Sequence, residues 1–419
     1  MLTKPDTAPN KVENFKVLVL TCIANLCELY DFTLFVVLLP ILVEHFFPYS
    51  ADITSTIIIG YATFAVSFLI LPFGSILWGY IGDKFGSYKI FRATLLLMAF
   101  PSLAIALLPT FSQIGWLAPV LLITLRLIQG ISASGEVLGA KLYAFECLGK
   151  GHHLLASSLI SAFGAIGVTG AMLVGSFLAS QPSGSGYWRL AFMVGGGSIF
   201  IIMLIRMFSQ NNEQRKINNN VTTFLSVMSV VRDNIQSSTQ GFILSGMLGI
   251  LSYFMHCYLI NFQVMNLGYT MLEAYQNAKI GLGGTIVAAA LLAVFHKFYQ
   301  ADTRALLLKV LIICVLLVLP LYYIMLIKNP TATTISFAIM GGLLGLFASV
   351  SSVHIINAFS PHERCRGALL VNAFGVAIFG GSTPMVMTIL AATSIYLPGV
   401  MLWLGCVICL MTVCYGKKY

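Results

Sequence analysis

The chain has 419 residues, of which 58% are hydrophobic and only 9% are charged. Soluble domains carry about 25% charged residues, so this composition excludes a soluble protein and indicates one that crosses a membrane many times. The apolar runs are long and continuous rather than alternating, which excludes a transmembrane β-barrel. At about 20 apolar residues per span, the length predicts an all-α integral membrane fold of about twelve helices.

The formal net charge of +9 indicates how the chain is oriented rather than a nucleic-acid partner. If the N-terminus is cytoplasmic, 18 of the 23 Lys and Arg residues lie in cytoplasmic loops, at the termini or at their membrane edges. Of the others, Arg189 and Lys328 lie outside, and Arg126, Lys141 and Lys279 lie within helices. This asymmetry follows the positive-inside rule, so we predict an even number of spans with both termini in the cytoplasm. The expected setting is the lipid bilayer of the inner (plasma) membrane, and we expect a monomer.

The nine cysteines do not indicate a metal or redox centre, since most of them lie in apolar segments. Cys406 and Cys409 form a C-x-x-C, but on an apolar helix with no second pair. Structural packing is the favoured interpretation, so we expect no metal and no cofactor. The first apolar segment is too long for a signal peptide and lacks a small-residue cleavage site, so we expect it to be retained as a span.

Twelve apolar segments follow one another, and one long polar stretch, residues 210–236, interrupts them. We interpret this stretch as a cytoplasmic central loop between an N-terminal six-helix bundle (1–209) and a C-terminal six-helix bundle (237–419). The predicted spans are 16–42, 52–78, 89–109, 116–147, 153–180, 188–209, 239–264, 271–295, 304–327, 332–359, 367–392 and 396–415.

The two halves resemble each other at one point in each. Residues 161–170 read S-A-F-G-A-I-G-V-T-G and residues 372–381 read N-A-F-G-V-A-I-F-G-G, half a chain apart. The offset indicates a duplicated six-helix unit, and such repeats place the substrate site at the interface of the halves near the midplane. Close helix packing is an equally good explanation of the glycines themselves.

Residues 124–146 are apolar enough for a bilayer, yet they include Arg126, Glu136 and Lys141. On an α-helix Arg126, Gln129 and Glu136 fall within about 80° of one another. A charge at the bilayer centre costs roughly 2.5–3.5 kcal/mol, so this face should meet a protein interior or a water-filled path, and in a duplicated twelve-helix frame we expect it to face the cleft between the halves.

Each charged residue of this helix has two interpretations. Arg126 either has a functional role, as the group that binds a substrate carboxylate or as a proton-coupling partner, or forms a structural pair with Glu28 or Asp31. Glu136, ~15 Å along the axis, either passes a proton inward or braces the helix ends. Lys141 is near enough to the interface to extend its side chain to water.

Helix 1 carries Asn25, Glu28 and Asp31 within about a turn of one another, with Tyr30 between the acids. Two carboxylates inside a span are costly as anions, so either could exchange a proton near physiological pH. The alternative is a fixed ion pair with Arg126 or Lys141. Pairing and proton coupling are compatible, since a carboxylate that exchanges the arginine for a proton would do both.

The second half carries fewer polar candidates. Tyr253 and His256 share a face of helix 7, and a histidine in a span either contacts an anion, carries a proton or packs with a hydrogen bond. Lys279 on helix 8 either faces the cavity or reaches the surface, and Asn372 on helix 11 is a candidate for lining the path.

The stretch W-G-Y-I-G-D-K-F-G-S-Y-K between helices 2 and 3 predicts a tight turn with charges at the cytoplasmic face. It resembles the G-x-x-x-D-R-x-G-R-K loop of the major facilitator superfamily, in which the loop aspartate pairs with helix ends and latches the outward-facing state. The matching residues, which form the expected gating loop, are Gly79, Gly82, Asp83, Gly86 and Lys89.

Three further motifs resemble the metabolite:H⁺ symporter branch of that superfamily, which imports proline/betaine, α-ketoglutarate, citrate and shikimate. They are E-L-Y-D-F in helix 1, R-L-I-Q-G-x-x-x-S-G-E in helix 4 and F-G-V-A-I-F-G-G-S-T-P in helix 11. The resemblance implies a transporter with two six-helix bundles. Its expected proton-coupling residues are Glu28, Asp31, Arg126 and Glu136. Its expected substrate-binding residues are Asn25, Tyr30, Arg126, Gln129, Tyr253, His256, Lys279 and Asn372.

The function that these features favour is a proton-coupled symporter that imports a small organic anion or zwitterion by alternating access. A carboxylate metabolite, a proline/betaine-like solute and a carboxylate siderophore all stay open, as does Na⁺ in place of H⁺. An exporter is the nearest alternative, but residues 154–180 lack the proline of the antiporter motif G-x-x-x-G-P-x-x-G-G. A membrane enzyme would need a cluster such as H-x-x-x-x-D, which is absent after His152-His153, and a nutrient sensor is a further alternative.

Overall fold

A computed structural model describes residues 11–48, 53–178, 181, 186–208, 226–299 and 302–416. This part of the chain is helical without strands, and twelve of its helices are long and apolar enough to cross a membrane, which confirms the predicted all-α fold. The spans are α1 (Lys11–Val37), α2 (Ile53–Leu69 continued by Leu71–Phe85), α3 (Ser87–Leu107), α4 (Leu117–Leu148), α5 (His153–Leu178), α6 (Tyr187–Phe208), α7 (Ile235–Leu267), α8 (Met271–Val294), α9 (Thr303–Leu326), α10 (Pro330–Asn357), α11 (Arg364–Thr393) and α12 (Leu397–Tyr415).

Short helices occupy several of the connections. The first predicted span is divided, because α1 ends at Val37 and a separate helix, Leu39–Phe46, follows with Pro40 in its first turn. Proline lacks the backbone N–H that a continuing helix would use, but it fits the start of a new one. The predicted central loop contains the helix Ser226–Asp233, while residues 210–225 lie outside the described part.

The predicted turn at residues 78–89 is much shorter than expected. Gly79 and Gly82 lie inside α2, and only Gly86, with φ 92°, forms the turn into α3. A Cβ atom on Gly82 would lie 3.0 Å from the Cβ of Cys365 on α11. This glycine therefore permits close approach of two helices rather than a change in chain direction.

The interface between α1–α6 and α7–α12, which we call the seam, is formed by few helices. In the described residues α2 packs on α11, and α5 packs on α8 and α10. The two segments that resemble each other in sequence lie on α5 and α11, which both pack on the opposite half, while glycines of the segments approach α1 and α7 of their own half. Backbone regularity changes near the seam, where α7 and α11 contain π-helical turns at Phe254–Tyr258, Gln263–Leu267 and Val376–Gly380. Such turns are often found at functional sites.

Candidate substrate and proton site

Arg126 is fully buried in α4 and only partly satisfied. Its Nη1 donates to Oε1 of Gln129 at 2.8 Å, and its guanidinium carbon lies 3.7 Å from the ring centre of Phe35 and 5.1 Å from that of Phe32. Its Nε and Nη2 have no hydrogen-bond partner among the described residues. These two nitrogens form one edge of the planar guanidinium, which is the edge that binds a carboxylate with two parallel hydrogen bonds.

Asp31 is connected to Arg126 through a shared neighbour rather than directly. Its Oδ2 accepts from Ser102 Oγ at 2.6 Å and from Gln129 Nε2 at 3.0 Å, while its Oδ1 has no partner. Gln129 also donates to Ser102 at 2.8 Å, so the amide side chain stands between the acid and the arginine. Within the described residues neither acid of α1 forms a direct ion pair with Arg126, and the predicted fixed pair is not present.

Aromatic rings enclose this site and extend it across the seam. Phe64 and Phe68 of α2 and Phe32 of α1 meet with ring centres 4.9–5.9 Å apart. Tyr253 of α7 lies 5.8 Å from Phe64 and 5.2 Å from Phe68, and it interacts electrostatically with Arg126. Of the residues predicted in the second half, Tyr253 is therefore the one that the described structure brings close to Arg126. We call the set the Arg126 group, and it consists of Asp31, Phe32, Phe35, Phe64, Phe68, Ser102, Arg126, Gln129 and Tyr253.

Glu136 belongs to a different group inside the N-terminal half. It forms an ion pair of 3.0 Å with Arg206 of α6, both side chains being almost completely buried, and it accepts a hydrogen bond from Thr94 of α3. The expectation that the whole charged face of α4 lines the cleft is therefore wrong for Glu136, because α3 and α6 surround it. The pairing supports the bracing interpretation of Glu136. We call Thr94, Glu136 and Arg206 the Glu136 group.

Arg206 and the aromatic rings were missed by the sequence reasoning. Arg206 is one of the 18 basic residues counted on the cytoplasmic side, and it lies two residues before α6 ends at Phe208. Its relative exposure of 1% shows that its side chain turns back into the bundle instead. One feature of the sequence could have predicted this, because Glu136 is an acid within an apolar helix of the same half and therefore needs a cation as a partner. Aromatic rings are too common in apolar helices to be distinguished by sequence.

Glu28 lies between these two groups. It is 1% exposed, its Oε2 has no hydrogen-bond partner, and it interacts electrostatically with Glu136, Arg206 and Asp31. A buried carboxylate without a hydrogen-bond donor is costly, and a bound proton removes that cost. The position is therefore suited to a carboxyl group that exchanges a proton.

Asn25 and Tyr30 contact other helices of the N-terminal half. The Asn25 amide donates to the carbonyl oxygen of Ile160 on α5 at 2.8 Å, which joins α1 to α5. The Tyr30 hydroxyl lies 3.5 Å from the carbonyl oxygen of Ala191 on α6. These contacts do not bring either side chain into the Arg126 group, and their expected roles in substrate binding stay predictions.

The other candidates of the second half are not joined to the Arg126 group by hydrogen bonds in the described structure. His256, Lys279 and Asn372 are each half-buried. His256 lies within a π-helical turn, which changes the angular spacing of the residues after Tyr253 from that of an α-helix. A buried polar set on α7 and α8 was not predicted, in which Asn277 donates to Gln263 at 2.7 Å.

The predicted gating loop makes a contact across the seam. Oδ2 of Asp83 lies 2.7 Å from Nε of Arg366, and the backbone N–H groups of Cys365 and Arg366 also donate to this carboxylate. Asp83 therefore binds the N-terminus of α11, where a helix favours a negative charge. Lys89 stays local, with its ammonium 4.0 Å from the ring centre of Phe85.

In the corresponding loop of the second half the described contact with the other half is between rings, since the ring centres of His296 and His152 lie 6.2 Å apart, whereas its charged residues bind within their own half. Asp302 accepts a hydrogen bond of 2.8 Å from the N–H of Ala305 and so caps α9. Arg304 donates to the carbonyl oxygens of Val413 at 2.7 Å and of Gly416 at 2.9 Å, at the end of α12. Both contacts lie within the C-terminal half.

Comparison with known proteins identifies the family. The family model described as Major Facilitator Superfamily matches residues 21–364. The chain is 28% identical over 392 residues to a protein of Staphylococcus aureus (strain COL) with the provisional name proline/betaine transporter, across 89% of this chain and 81% of that protein. It is 25% identical over 397 residues to the citrate-proton symporter of Salmonella typhi, across 91% and 89% of the two chains. A shikimate transporter of Escherichia coli (strain K12) is 34% identical over 169 residues, across 39% and 38%.

Solved structures agree on the fold. The proton:xylose symporter XylE superposes with a TM-score of 0.74 at 12% identity, covering 97% of this chain and 95% of that one. The human organic anion transporter MFSD10 superposes with a TM-score of 0.70 at 16% identity, covering 96% and 99%. At these identities the likeness concerns the fold alone. On the family match and the relatives together, the chain is a multi-pass membrane transporter, not an enzyme, and belongs to the major facilitator superfamily.

Proposed function

We propose that this transporter is a proton-coupled symporter that imports a small solute bearing a carboxylate, an organic anion or a zwitterion, by alternating access. The observation that carries the proposal is the free edge of Arg126, a buried guanidinium beside the seam whose Nε and Nη2 lack partners in the described residues. A buried cation with two unused parallel donors is a receptor for a carboxylate.

Asp31 and Glu28 are the proposed proton acceptors. Asp31 holds Arg126 only through Gln129, so a solute that binds the free edge changes the charge felt by Asp31 without breaking an ion pair. A proton on Asp31 or Glu28 then offsets the negative charge that the solute brings into a low-dielectric site. Solute and proton are each less costly to bury in the presence of the other, and this is what coupling requires.

The relatives support this solute class. Citrate, shikimate, proline and betaine, which occur in the names of the similar proteins, all carry a carboxylate. Their bacterial sources support a plasma-membrane location, and the distribution of Lys and Arg supports cytoplasmic termini.

The test is uptake into proteoliposomes with an imposed pH gradient, using radiolabelled citrate, shikimate, proline and glycine betaine in competition. We expect uptake of one class to rise as the external pH falls below the internal pH, because the proton moves inward with the solute. Arg126→Ala should abolish uptake. Asp31→Asn or Glu28→Gln should remove the acceleration by the gradient while solute exchange at equal pH continues. Full gradient-driven uptake by all three variants would contradict the proposal.

A further inference from the structure

Lys141 is a buried lysine that the proposed mechanism does not use. It lies on α4, about 22 Å along the helix axis from Arg126 toward the predicted cytoplasmic end. Its side chain does not extend to water, contrary to the expected possibility, since the residue is only 4% exposed. Its Nζ donates to Ser352 Oγ of α10 at 2.9 Å and to Ser161 Oγ of α5 at 3.2 Å.

This ammonium has no acidic partner in the part of the chain that the structure describes. Its two contacts are neutral hydroxyls. A buried charge without a counter-ion is costly, so structural lysines in cores are normally paired. Serine hydroxyls can also donate, and Ser352 at present donates to the carbonyl oxygen of Ala348 at 2.9 Å. One cation and two hydroxyl donors together match a carboxylate.

The same place is where the two halves meet. Ser161 and Lys141 belong to the N-terminal half and Ser352 to the C-terminal half. Next to them, Ser157 of α5 donates to the backbone oxygen of Ser349 on α10 at 2.7 Å. In the described residues the hydrogen bonds that cross the seam here, from Lys141 and from Ser157, end on neutral acceptors, so separation of α5 and α10 breaks no ion pair at this level. It would expose Lys141 to the cavity that opens toward the predicted cytoplasmic end.

We infer that Lys141, Ser161 and Ser352 form a second carboxylate site, which receives the solute from Arg126 before its release. The passage of solute between the two sites rests on the proposed function, whereas anion binding at Lys141 does not. Arg126 and Lys141 are thus two successive cationic positions on one helix, each facing the opposite half. The ligand class is a small carboxylate, as a free organic acid or as part of a zwitterion.

The test is acetylation of lysines by acetic anhydride in the purified full-length chain, read by mass spectrometry at each residue. Citrate and L-proline serve as probes, with mannitol as a solute that lacks a carboxylate. Citrate or proline should slow the acetylation of Lys141 about tenfold at a concentration of about ten times its Kd, with no change at the exposed Lys89. Ser352→Ala should weaken this protection. Ser349→Ala should not, because the Ser349 hydroxyl donates to Gly345 of its own helix.

Several results would overturn the inference. Lys141 could be acetylated at the same rate with and without both probes. The probes could protect Lys89 as strongly as Lys141. Lys141 could also stay unacetylated under conditions that label Lys89. The two proposals fail separately. If Arg126→Ala abolishes uptake but no probe protects Lys141, the second site is wrong and the proposed function stands. If Lys141 is protected while Arg126→Ala transports normally, the proposed function is wrong.

Discussion

The Arg126 group and the Glu136 group are both built around α4, yet they differ in whether the buried cation meets a carboxylate directly. Arg206 and Glu136 meet in a direct ion pair of 3.0 Å inside one half, with Thr94 as a further donor. Among the described residues the Arg126 guanidinium donates only to Gln129 and keeps one edge free, and it interacts with a tyrosine from the other half. The comparison teaches that a buried charge in direct contact with an opposite charge is a brace, whereas a buried charge without such a contact indicates a place for a ligand.

The largest expected effect is on the stability of the paired group. Arg206→Met leaves Glu136 buried without its cation, which typically costs about 3–5 kcal/mol. The double variant Arg206→Met/Glu136→Gln removes both charges, so it should recover most of the lost stability. The measurement is the thermal unfolding midpoint of the purified protein in detergent. Equal stability of Arg206→Met and the parent would show that the pair is not a brace, and the comparison would fail.

The Arg126 group should show the opposite pattern, with a loss of activity and little loss of stability. Arg126→Lys keeps the positive charge but lacks the planar pair of donors, so we expect carboxylate uptake to fall about tenfold or more. Its unfolding midpoint should stay close to that of the parent, because the arginine has few partners to lose. Solute uptake and unfolding are measured on the same preparation. Full uptake by Arg126→Lys would mean that a point charge suffices and that the free edge has no role.

A smaller effect is expected at the contact between α2 and α11. Asp83→Asn should favour separation of the halves at that end and reduce uptake several-fold, because the amide cannot replace both the ion pair with Arg366 and the acceptance from two N–H groups. The charge exchange Asp83→Arg/Arg366→Asp should not restore uptake, since it brings a cation to a helix N-terminus. Recovery of uptake in this double variant would show that the ion pair alone holds α2 against α11.

Asp302→Asn is the matched control for this contact. Asp302 caps α9 within the C-terminal half and does not join the halves. Its substitution should leave uptake unchanged and should have only a small effect on stability, because asparagine is as good a cap as aspartate. A loss of uptake equal to that of Asp83→Asn would remove the distinction between the two loops.

The smallest expected effect concerns Tyr253. Tyr253→Phe keeps the ring contacts with Phe64 and Phe68 and should change uptake less than about threefold, whereas Tyr253→Ala removes a ring contact worth about 0.5–1.5 kcal/mol beyond its area. Michaelis constants for the transported solute would separate the two variants. If Tyr253→Phe is as damaging as Tyr253→Ala, the hydroxyl rather than the ring acts on Arg126.

Much of the candidate site could be predicted because charges in a membrane are costly and therefore few. Arg126, Gln129, Glu28 and Asp31 stand out from their apolar neighbours without any structural information. Their mutual placement could not be predicted in the same way. Spacing on α4 places Arg126 and Glu136 on one face, but it does not say which helix covers each end of that face.

The sequence alone determined the number of spans and the family motifs, since long apolar segments and the distribution of basic residues act locally and independently of packing. Only the tertiary structure decided the partners. Arg206 turns inward to Glu136, Gln129 separates Asp31 from Arg126, and Lys141 crosses the seam to Ser352. The physical reason is that a hydrogen bond or ion pair depends on distances of a few ångströms between helices that are far apart in sequence.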